Sequence, residues 1–361
     1  MPKWGMTMTE GRVAGWLKAL GDRIDKGEEF VEIETEKITN VVEAESAGTL
    51  RRIIVPKGES APCGALIAVV AETEVADDEI DSFLGDFEVR TTVAGEAASR
   101  LTAEIVEAEG VRLRVITAKG PGGSAPAILL HGFGSDAASW MFNQEALAQA
   151  RTVHAIELPS HGGSEVAPSL TSVASIAAAV GAVIDRLVPE RVHLVGHSLG
   201  ARLALRLAAA MGERAASLAM IAPAGLGSEL NVDFVEQFIA ADRRRPMKAA
   251  LQMLVADKGA ISSDMIERSL SYKRVDGVPK TLRCIADSSL LENAAAEGVT
   301  QDLSATNAPV LILWGGRDEV LPPAQHEGLE TRILTEAGHM PQMEAAGEVT
   351  EALAAHMEAA E

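Results

Sequence analysis

One serine in this sequence combines the residue type and the neighbours that nucleophilic catalysis needs. It lies in the run Gly196-His197-Ser198-Leu199-Gly200, which follows the apolar stretch RVHLV and precedes the helical pattern ARLALRLA. A strand, a tight glycine turn and a helix in this order lift a serine hydroxyl above a sheet edge, at a helix amino terminus where backbone N–H groups stabilise negative charge. The pattern therefore predicts that Ser198 is a nucleophile.

A nucleophilic serine needs a base, and the chain has eight histidines that compete for this role. His339 is the best placed, because it lies in the loop TEAGHMPQ after the last strand pattern and before the last helix. Asp318 follows the apolar strand LILWGG, and catalytic loops of parallel sheets gather at such strand ends. We predict that His339 accepts the proton of Ser198 and that Asp318 orients the imidazole, with the adjacent Glu319 as the alternative carboxylate.

The stretch LLHGFGSDAASW offers half of an oxyanion hole. After a strand, the glycines let the chain turn so that the backbone N–H of Phe133 points toward the serine, and the N–H of Leu199 is the predicted second donor. His131 is predicted to be a structural hydrogen-bonding residue, and His161 to order its own loop. His197 is predicted to point away from the reacting atoms.

A second candidate for chemistry is a lysine near the amino terminus. Lys37 lies between the runs FVEIE and TNVVEA, at the junction of two similar halves. The halves are related by a repeat of glycines with equal separations: Gly11, Gly21 and Gly27 in the first, and Gly48, Gly58 and Gly64 in the second. Each half reads as short apolar strands with glycine turns, which predicts a small two-sheet β-sandwich that displays Lys37 at a hairpin tip.

The rest of the chain predicts a multidomain protein. Acidic residues dominate 72–90, typical of a solvated connector. From about residue 102, apolar strands alternate with helical patterns, which indicates a mostly parallel sheet covered on both faces. The predicted organisation is a β-sandwich over 1–73, an acidic linker over 74–100 and an α/β domain over 101–361, with a helical cap over approximately 226–303.

Composition excludes several classes of function. The formal net charge of −20 and a sequence pI near 4.9 argue against binding to nucleic acid or to anionic membranes. Two distant cysteines indicate neither a disulfide framework nor a metal site. The sequence shows no signal-peptide core, and no apolar run of the roughly 20 residues that a membrane helix needs. A cytoplasmic protein without a metal is expected.

The one dense basic run is Arg243-Arg244-Arg245, within the predicted cap. Such a run binds the phosphates of a large cofactor in some proteins, but a solvated helix end is the more common interpretation. Both interpretations stay open at this point.

Residues 1–73 resemble the lipoyl domains of 2-oxo acid dehydrogenase complexes. The similarity includes the opening MPKWGMTMTEGRVAGWLKALGDRIDKGE and the hairpin EIETEKITNVVEAESAGTL. Lys37 matches the position that carries lipoate in that family, preceded by Glu36 where many members have aspartate. The resemblance implies covalent lipoate on Lys37, attached by a dedicated lipoate-attaching enzyme.

Residues 102–357 resemble the α/β hydrolase superfamily, through HGFG, LPSHGGS, GHSLG, GGRDEV and AGHMPQ. The order of Ser198, Asp318 and His339 is the order found in that superfamily. A lipoyl domain before such a domain resembles one family, the dihydrolipoamide acetyltransferase components of acetoin dehydrogenase complexes. Ordinary acyltransferase components instead use an H-x-x-x-D-G motif, whereas here Tyr272 stands where that histidine would precede Asp276-Gly277.

This resemblance implies a reaction and its partners. A thiamine-diphosphate-dependent acetoin dehydrogenase cleaves acetoin and leaves an acetyl group on the lipoyl arm, the present chain transfers it to coenzyme A, and dihydrolipoamide dehydrogenase reoxidises the arm. Two alternatives remain at this point. The chain could be a lipoyl-carrying thioesterase or esterase that uses water as acceptor, or a carrier and scaffold without catalysis.

Overall fold

The computed structural model describes two compact units, Met1–Leu101 and Thr102–Glu361. Its described residues are 1, 10–35, 39–44, 46–63, 65–72, 75–77, 79–80, 84, 101–188, 190–227, 230–291, 294–324, 329 and 331–361.

The first unit is built from two small antiparallel sheets. One sheet has the strand order β4-β3-β1-β6 and the other β2-β5-β7. The strands are β1 (Glu10–Trp16), β2 (Arg23–Ile24), β3 (Glu29–Glu34), β4 (Thr39–Glu43), β5 (Gly48–Ile53), β6 (Ser60–Pro62) and β7 (Ala68–Ala71).

The core of the first unit consists of two apolar clusters, one around Val13 and one around Leu50. Trp16 and Phe30 pack against both clusters, and their ring centroids lie 6.2 Å apart. Two large side chains therefore join the two sheets into one sandwich. Because apolar surface removed from water is the main driving force of folding, these two aromatic residues are central to the stability of so small a unit.

The glycine repeat predicted from the sequence is visible in the backbone. Gly21 and Gly58, which occupy equivalent places in the two halves, have φ angles of +91° and +90°. This left-handed conformation favours glycine because a Cβ atom would be strained there. Val13 and Leu50, each two residues after the first glycine of its half, are both fully buried.

The predicted lipoate-carrying residue, Lys37, lies outside the described residues. The strands on either side of it, β3 and β4, are paired antiparallel, with Glu34 opposite Thr39. Most of the predicted linker also lies outside the described residues. Of its described part, Asp77 binds Arg51 of β5 at 2.9 Å and Ile80 is buried.

The second unit contains an eight-stranded sheet of order β15-β14-β13-β12-β10-β11-β9-β8. Neighbouring strands from β10 to β15 pair parallel, and β9 pairs antiparallel with β11. The strands are β8 (Leu101–Ala108), β9 (Val111–Ala118), β10 (Ala127–Leu130), β11 (Val153–Ile156), β12 (Val192–His197), β13 (Ala215–Ile221), β14 (Val310–Gly315) and β15 (Thr331–Leu334).

Helices cover the central strands of this sheet, so that β12 and β13 are buried along their whole length. This explains their continuous apolar sequence. The helices are α1 (Gln144–Leu147), α2 (Val173–Leu187), α3 (Leu199–Met211), α4 (Val232–Ala240), α5 (Arg244–Gln252), α6 (Ser263–Lys273), α7 (Val278–Ser289), α8 (Val299–Ala305), α9 (Pro341–Glu344) and α10 (Ala346–Ala359). In the described part of the chain, no helix has the length and apolar character needed to cross a membrane.

Helices α4 to α8 follow one another between β13 and β14, where the sequence predicted a helical insertion. The predicted end of that insertion, residue 303, falls inside α8, and α8 packs on α3. Arg202 of α3 binds Asp302 of α8 at 2.7 Å in a buried ion pair, and it also donates to the carbonyl oxygens of Ala295 and Glu297. Arg206 of α3 also binds Asp302, at 2.8 Å, so two guanidinium groups hold this part of the chain on α3.

Candidate active site

The backbone at Ser198 has the conformation of a tight strand-to-helix turn. Its φ and ψ angles are 55° and −117°, at the junction of β12 and α3. A non-glycine residue at positive φ costs about 1 to 3 kcal/mol and persists only where surrounding contacts impose it. Here the Ser198 N–H donates to the carbonyl of Ile221 at 2.9 Å, and the Ser198 carbonyl accepts from the N–H of Ala224 at 3.2 Å. The side chain makes no helix-capping hydrogen bond, which leaves the hydroxyl available for chemistry.

The two glycines of the motif are required by close approach of the backbone. A Cβ atom on Gly196 would lie 2.2 Å from the carbonyl oxygen of Gly200, and one on Gly200 would lie 2.3 Å from the carbonyl oxygen of Leu130. Real Cβ atoms essentially never come so close to backbone atoms. Glycine is therefore needed at both positions of the predicted tight turn.

Asp318 and His339 are in direct contact. Asp318 follows β14 and His339 precedes α9, and the distance between Asp318 Oδ2 and His339 Nδ1 is 2.8 Å. The other carboxylate oxygen of Asp318 accepts the N–H groups of Val320 and Leu321, each at 2.8 Å. Because both oxygens of this buried carboxylate have partners, its orientation is fixed, and it holds the imidazole with Nε2 free to exchange a proton.

The alternative carboxylate, Glu319, points elsewhere. Its side chain is 56% exposed and pairs with Lys258 at 3.0 Å. The structure thus brings Asp318, rather than its neighbour, to His339.

His197 links His339 to the turn that carries Ser198. The imidazole of His197 donates from Nε2 to the carbonyl oxygen of His339 at 2.7 Å, and the two ring centroids lie 4.8 Å apart. No hydrogen bond joins the Ser198 hydroxyl to His339, although both residues are described. Catalytic hydrogen bonds are often long before substrate binds and shorten in the complex.

His197 itself is buried and held neutral. Burial and the nearby His339 lower the pKa of its imidazole well below the usual value. With Nε2 donating to His339, the Nδ1 lone pair has no hydrogen-bond partner and faces Gly132, where a Cβ atom would lie 3.0 Å away. His197 therefore connects two loops, a role that the sequence did not indicate.

The predicted oxyanion donors lie on two tightly packed backbone segments. Neither the Phe133 N–H nor the Leu199 N–H has a hydrogen-bond acceptor among the described residues, so both donors are available. A Cβ atom on Gly132 would lie 3.1 Å from Ser198 Cβ, which shows how closely the segment before Phe133 packs on the serine turn. Only glycine permits this approach without a shift of the serine.

His131 and His161 are structural, as predicted. The Nδ1–H of His131 donates to the Gly132 carbonyl at 2.8 Å, and Nε2 accepts the N–H of Leu158 at 3.0 Å. His161 donates from Nδ1 to the Pro159 carbonyl at 2.9 Å. Burial lowers the pKa of His131 to about 4 and that of His161 to about 3, so neither serves as a base near neutral pH.

The basic run Arg243-Arg244-Arg245 is exposed at the amino terminus of α5. Arg243 pairs with Asp242 at 3.2 Å, and Arg244 pairs with Glu267. Two of the three arginines thus have acidic partners, which supports the interpretation as a solvated helix end. The described residues contain no group of three or more His, Cys, Asp or Glu side chains that could hold a metal ion.

Sequence analysis did not identify three side chains of α6 that make polar contacts near this site: Arg268, Tyr272 and Lys273. Tyr272 is the one tyrosine of the chain, and the other two look like ordinary surface cations on a helix. A tyrosine in a chain with so few aromatic residues was the available signal.

Comparisons with known proteins agree with this geometry. Residues 127–352 match the model of the alpha/beta hydrolase family, and residues 1–70 match a family described as biotin-requiring enzymes. Among solved structures, a carboxylesterase from Bacillus subtilis superimposes with a TM-score of 0.62 at 19% identity, covering 77% of this chain and 98% of the esterase. A meta-cleavage product hydrolase from Pseudomonas fluorescens gives a TM-score of 0.63 at 18% identity, over 72% of this chain and 98% of the hydrolase.

Fold and motifs thus define a biotinyl/lipoyl-type domain followed by an α/β hydrolase domain, which confirms the fold class expected from the sequence. A curated relative from Pseudomonas putida is 40% identical, covering 99% of this chain and 97% of its own length, and one from Cupriavidus necator is 37% identical, covering 99% and 96%. Both are dihydrolipoyllysine-residue acetyltransferase components of acetoin cleaving systems. The chain belongs to this family, as the sequence resemblance predicted.

The first unit also has relatives of its own. The acetyltransferase component of the pyruvate dehydrogenase complex of Rickettsia bellii is 47% identical over 85 residues, which is 23% of this chain and 20% of that protein. The similarity to a dihydrolipoyllysine acetyltransferase in this unit supports lipoate, rather than biotin, as its covalent group.

Proposed function

We propose that this chain is the dihydrolipoyllysine-residue acetyltransferase of an acetoin-cleaving system, with Ser198, His339 and Asp318 as its catalytic residues. The observation that carries the proposal is the 2.8 Å contact between Asp318 and His339 beside the strained serine turn, in a chain of this family. A carrier without catalysis would have no use for a buried carboxylate whose two oxygens are both engaged in holding an imidazole. The scaffold alternative is therefore not favoured.

Lipoate on Lys37 would supply the acetyl group as a thioester at the end of a long arm. Lys37 fits this role because it lies in the short stretch between the paired residues Glu34 and Thr39. The lipoyl domain is proposed to span 1–73, the acidic linker 74–100 and the acyltransferase domain 101–361. Carrier and catalyst on one chain raise the effective concentration of the thioester, to the millimolar order when the linker spans the two sites.

In the first half-reaction, His339 Nε2 accepts the proton of the Ser198 hydroxyl as the oxygen attacks the thioester carbonyl. The Ser198 oxygen–carbon bond forms and the carbon–sulfur bond breaks. His339 then returns the proton to the departing thiolate. Asp318 keeps the imidazole in the required tautomer and stabilises its protonated form.

The developing oxyanion lies between two backbone donors. The N–H groups of Phe133 and Leu199 have no other acceptor among the described residues, so they need not break an existing bond when the carbonyl oxygen becomes negative. Preorganised donors of this kind contribute on the order of 10²- to 10³-fold in rate per donor.

In the second half-reaction, the thiol of coenzyme A gives its proton to His339 and its sulfur attacks the acetyl carbon on Ser198. The serine oxygen leaves and takes back the proton. Exclusion of water favours this acceptor, because hydrolysis competes for the same acyl-serine. Burial supports exclusion: Ser198 is 6%, Asp318 5% and His339 2% exposed. We propose that the inserted helices, about 226–303, form the cap that limits access of water.

The partners follow from this function. A thiamine-diphosphate-dependent acetoin dehydrogenase would load the arm, dihydrolipoamide dehydrogenase would reoxidise it, and a lipoate-attaching enzyme would modify Lys37. We place the system in the cytoplasm.

The test uses the lipoylated full-length chain and free acetyl-dihydrolipoamide, with and without coenzyme A. Formation of acetyl-coenzyme A and release of acetate are measured together. We expect acetyl-coenzyme A to dominate and acetate to fall when coenzyme A is added. Acetate formed at the same rate in both samples would show that water is the acceptor and that the chain is a thioesterase.

A further inference from the structure

Three side chains of helix α6 in the inserted segment make polar contacts near Phe133 or near residues that touch it. Arg268, Tyr272 and Lys273 lie within its last two turns, and each makes a polar contact to another element of the second unit. None of them belongs to the catalytic residues proposed above. Two rings beside them, Phe238 and His161, contact the ring of Phe133, the predicted oxyanion donor.

Lys273 caps the carboxyl end of α4, an earlier helix of the inserted segment. Its side chain is buried, and its ammonium group donates to the carbonyl oxygens of Phe238, Ile239 and Ala241 at the carboxyl end of α4. All three hydrogens of the ammonium group are thus used on carbonyls that the helix itself leaves without partners. Burial lowers the pKa of Lys273 to about 8, so the group remains largely protonated at neutral pH.

Phe238 links Lys273 to the backbone segment that contains Phe133 and Gly134. Its ring packs edge-on against the ring of Phe133, with a centroid distance of 6.0 Å, and the Lys273 nitrogen lies 5.3 Å from its centre. Gly134, at φ +69°, lies directly under the same ring, since a Cβ atom there would be 2.4 Å from Phe238 Cε1. Phe238 therefore packs against both the Phe133 side chain and the backbone at Gly134.

Tyr272 is linked to Phe133 through His161. Its hydroxyl donates to the carbonyl of Ser160 at 2.7 Å, and its ring stacks on His161 with a centroid distance of 5.8 Å. His161 in turn contacts Phe133, at 6.2 Å between ring centroids. Ser160 has a φ angle of +61°, so this hydrogen bond also supports a strained turn.

Arg268 adds a third contact, one turn earlier on α6. Its guanidinium group binds both oxygens of Asp136, at 2.7 and 2.8 Å, and Asp136 caps the short helix that follows the oxyanion segment. One nitrogen, Nη2, makes both contacts, and charge-assisted hydrogen bonds of this kind are stronger than those between neutral groups.

We propose that Tyr272 and Lys273 are positioning residues that fix the Phe133 N–H for the oxyanion, acting through His161 and Phe238. The inference rests on the proposed function, since Phe133 must be an oxyanion donor. A donor displaced by a fraction of an ångström stabilises the tetrahedral state less and leaves ground-state binding nearly unchanged. The two side chains should therefore affect kcat far more than KM.

The experiment compares Tyr272→Phe and Lys273→Met with Ser269→Ala in the full chain. Ser269 lies on the same helix, and its hydroxyl donates to the carbonyl of Met265 in that helix. Ester hydrolysis through Ser198 is followed with p-nitrophenyl acetate, and an alkyl boronic acid measures tetrahedral-state affinity, because it forms a tetrahedral adduct with an active serine. Thermal unfolding is recorded for every variant.

We expect Tyr272→Phe and Lys273→Met to lower kcat about tenfold or more, to change KM by less than about twofold and to raise the boronate Ki by the same factor as kcat falls. Ser269→Ala should match the wild type. A folded Tyr272→Phe variant with unchanged kcat and Ki, or with only KM raised, would overturn the inference. Tyr272→Phe decides the question if Lys273→Met does not fold.

A Ser198→Ala variant separates this inference from the proposed function. If Ser198→Ala still hydrolyses the ester and still binds the boronate, the proposed role of the serine is wrong, and the inference falls with it. If Ser198→Ala abolishes both while Tyr272→Phe changes neither, the inference alone is wrong.

Discussion

Along strand β4 of the first unit, exposed residues alternate with half-buried ones, whereas strand β12 of the second unit is buried from Val192 to His197. The first strand leads away from Lys37 and the second leads to Ser198. The carrier role proposed for Lys37 needs reach, so two paired strands with partly exposed residues are a sufficient support for it. A serine nucleophile needs a dry, fixed environment, and this requires a sheet covered on both faces.

The distribution of histidine follows the same division. All eight histidines lie in the second unit, and the first unit has none. Imidazole groups, which exchange protons near neutral pH, are thus confined to the unit that contains the proposed catalytic residues. The difference between the units can be tested by breaking one and leaving the other intact.

The largest effect is expected for Ser198→Ala. We predict a loss of about 10⁵-fold in acetyl transfer from acetyl-dihydrolipoamide, because the acyl intermediate is proposed to form on the Ser198 oxygen. Lipoylation of Lys37 should be unaffected, and it is checked by intact mass as a gain of about 188 Da.

The reciprocal variant, Lys37→Arg, should lose the mass shift and keep turnover of the free substrate. Equal loss of turnover in both variants would contradict the separation of carrier from catalyst.

Asp318→Asn should lower kcat by about 10³-fold or more, since an amide can donate to His339 Nδ1 and so favours the wrong tautomer. Glu319→Gln is the matched control, because its side chain is exposed and paired with Lys258. We expect it to stay within about twofold of the wild type. Steady-state kinetics with the same acyl donor measure both variants, and a larger loss for Glu319→Gln would reverse the assignment.

Gly200→Ala should destabilise the second unit by about 3 kcal/mol, because its Cβ would lie 2.3 Å from the Leu130 carbonyl oxygen. Gly347→Ala, in the helix α10 where nothing lies within 4 Å, should instead stabilise this unit by up to about 1 kcal/mol. Calorimetry would report the unfolding transition of each unit. A shift in the transition of the first unit would contradict the independence of the two cores.

Mild acid should weaken the second unit selectively. Burial holds four of its histidines neutral by lowering their pKa values to about 3 or about 4: His131, His154, His161 and His193. In the unfolded chain these groups take up protons near pH 6.5, so between that pH and about 4 the unfolded state binds more protons and stability falls as pH falls. Each histidine contributes a slope of up to about 1.4 kcal/mol per pH unit.

Three carboxyl groups act in the opposite direction, because burial raises their pKa values: Glu157, Asp264 and Glu344. They are fewer than the four histidines, so the net effect should still be a loss. Urea unfolding at pH 7 and pH 5.5 measures it, with the first unit in the same sample as the control. Equal losses in the two units over this interval would argue against histidine as the cause.

Local sequence predicted the parts of this molecule that depend on local geometry. The turn at Ser198 and the repeat of Gly21 and Gly58 were visible because glycine is needed at defined backbone positions. Local sequence could not decide between Asp318 and Glu319, because both carboxylates follow the same strand. The choice depends on the N–H groups of Val320 and Leu321, which only the folded loop brings to one oxygen of Asp318.

Contacts between residues far apart in the sequence could not be predicted from local sequence patterns. The hydrogen bond from His197 to the His339 carbonyl joins residues 142 positions apart, and the contact from Tyr272 to Ser160 spans 112. Both depend on how the inserted helices and the loops of the sheet pack, which neither hydrophobic periodicity nor a short motif encodes.

The guanidinium of Arg202 has a consequence for recombining parts of this enzyme. Arg202 lies on α3, the helix that follows Ser198, and it binds Ala295, Glu297 and Asp302. These three residues are continuous in sequence with the inserted helices, but they are held by the core of the second unit. A chimera that replaced the whole of 226–303 would leave a buried cation without its anion. Substrate range is therefore best exchanged by cutting before Ala295, where a transplanted segment can end without disturbing the helix beneath Ser198.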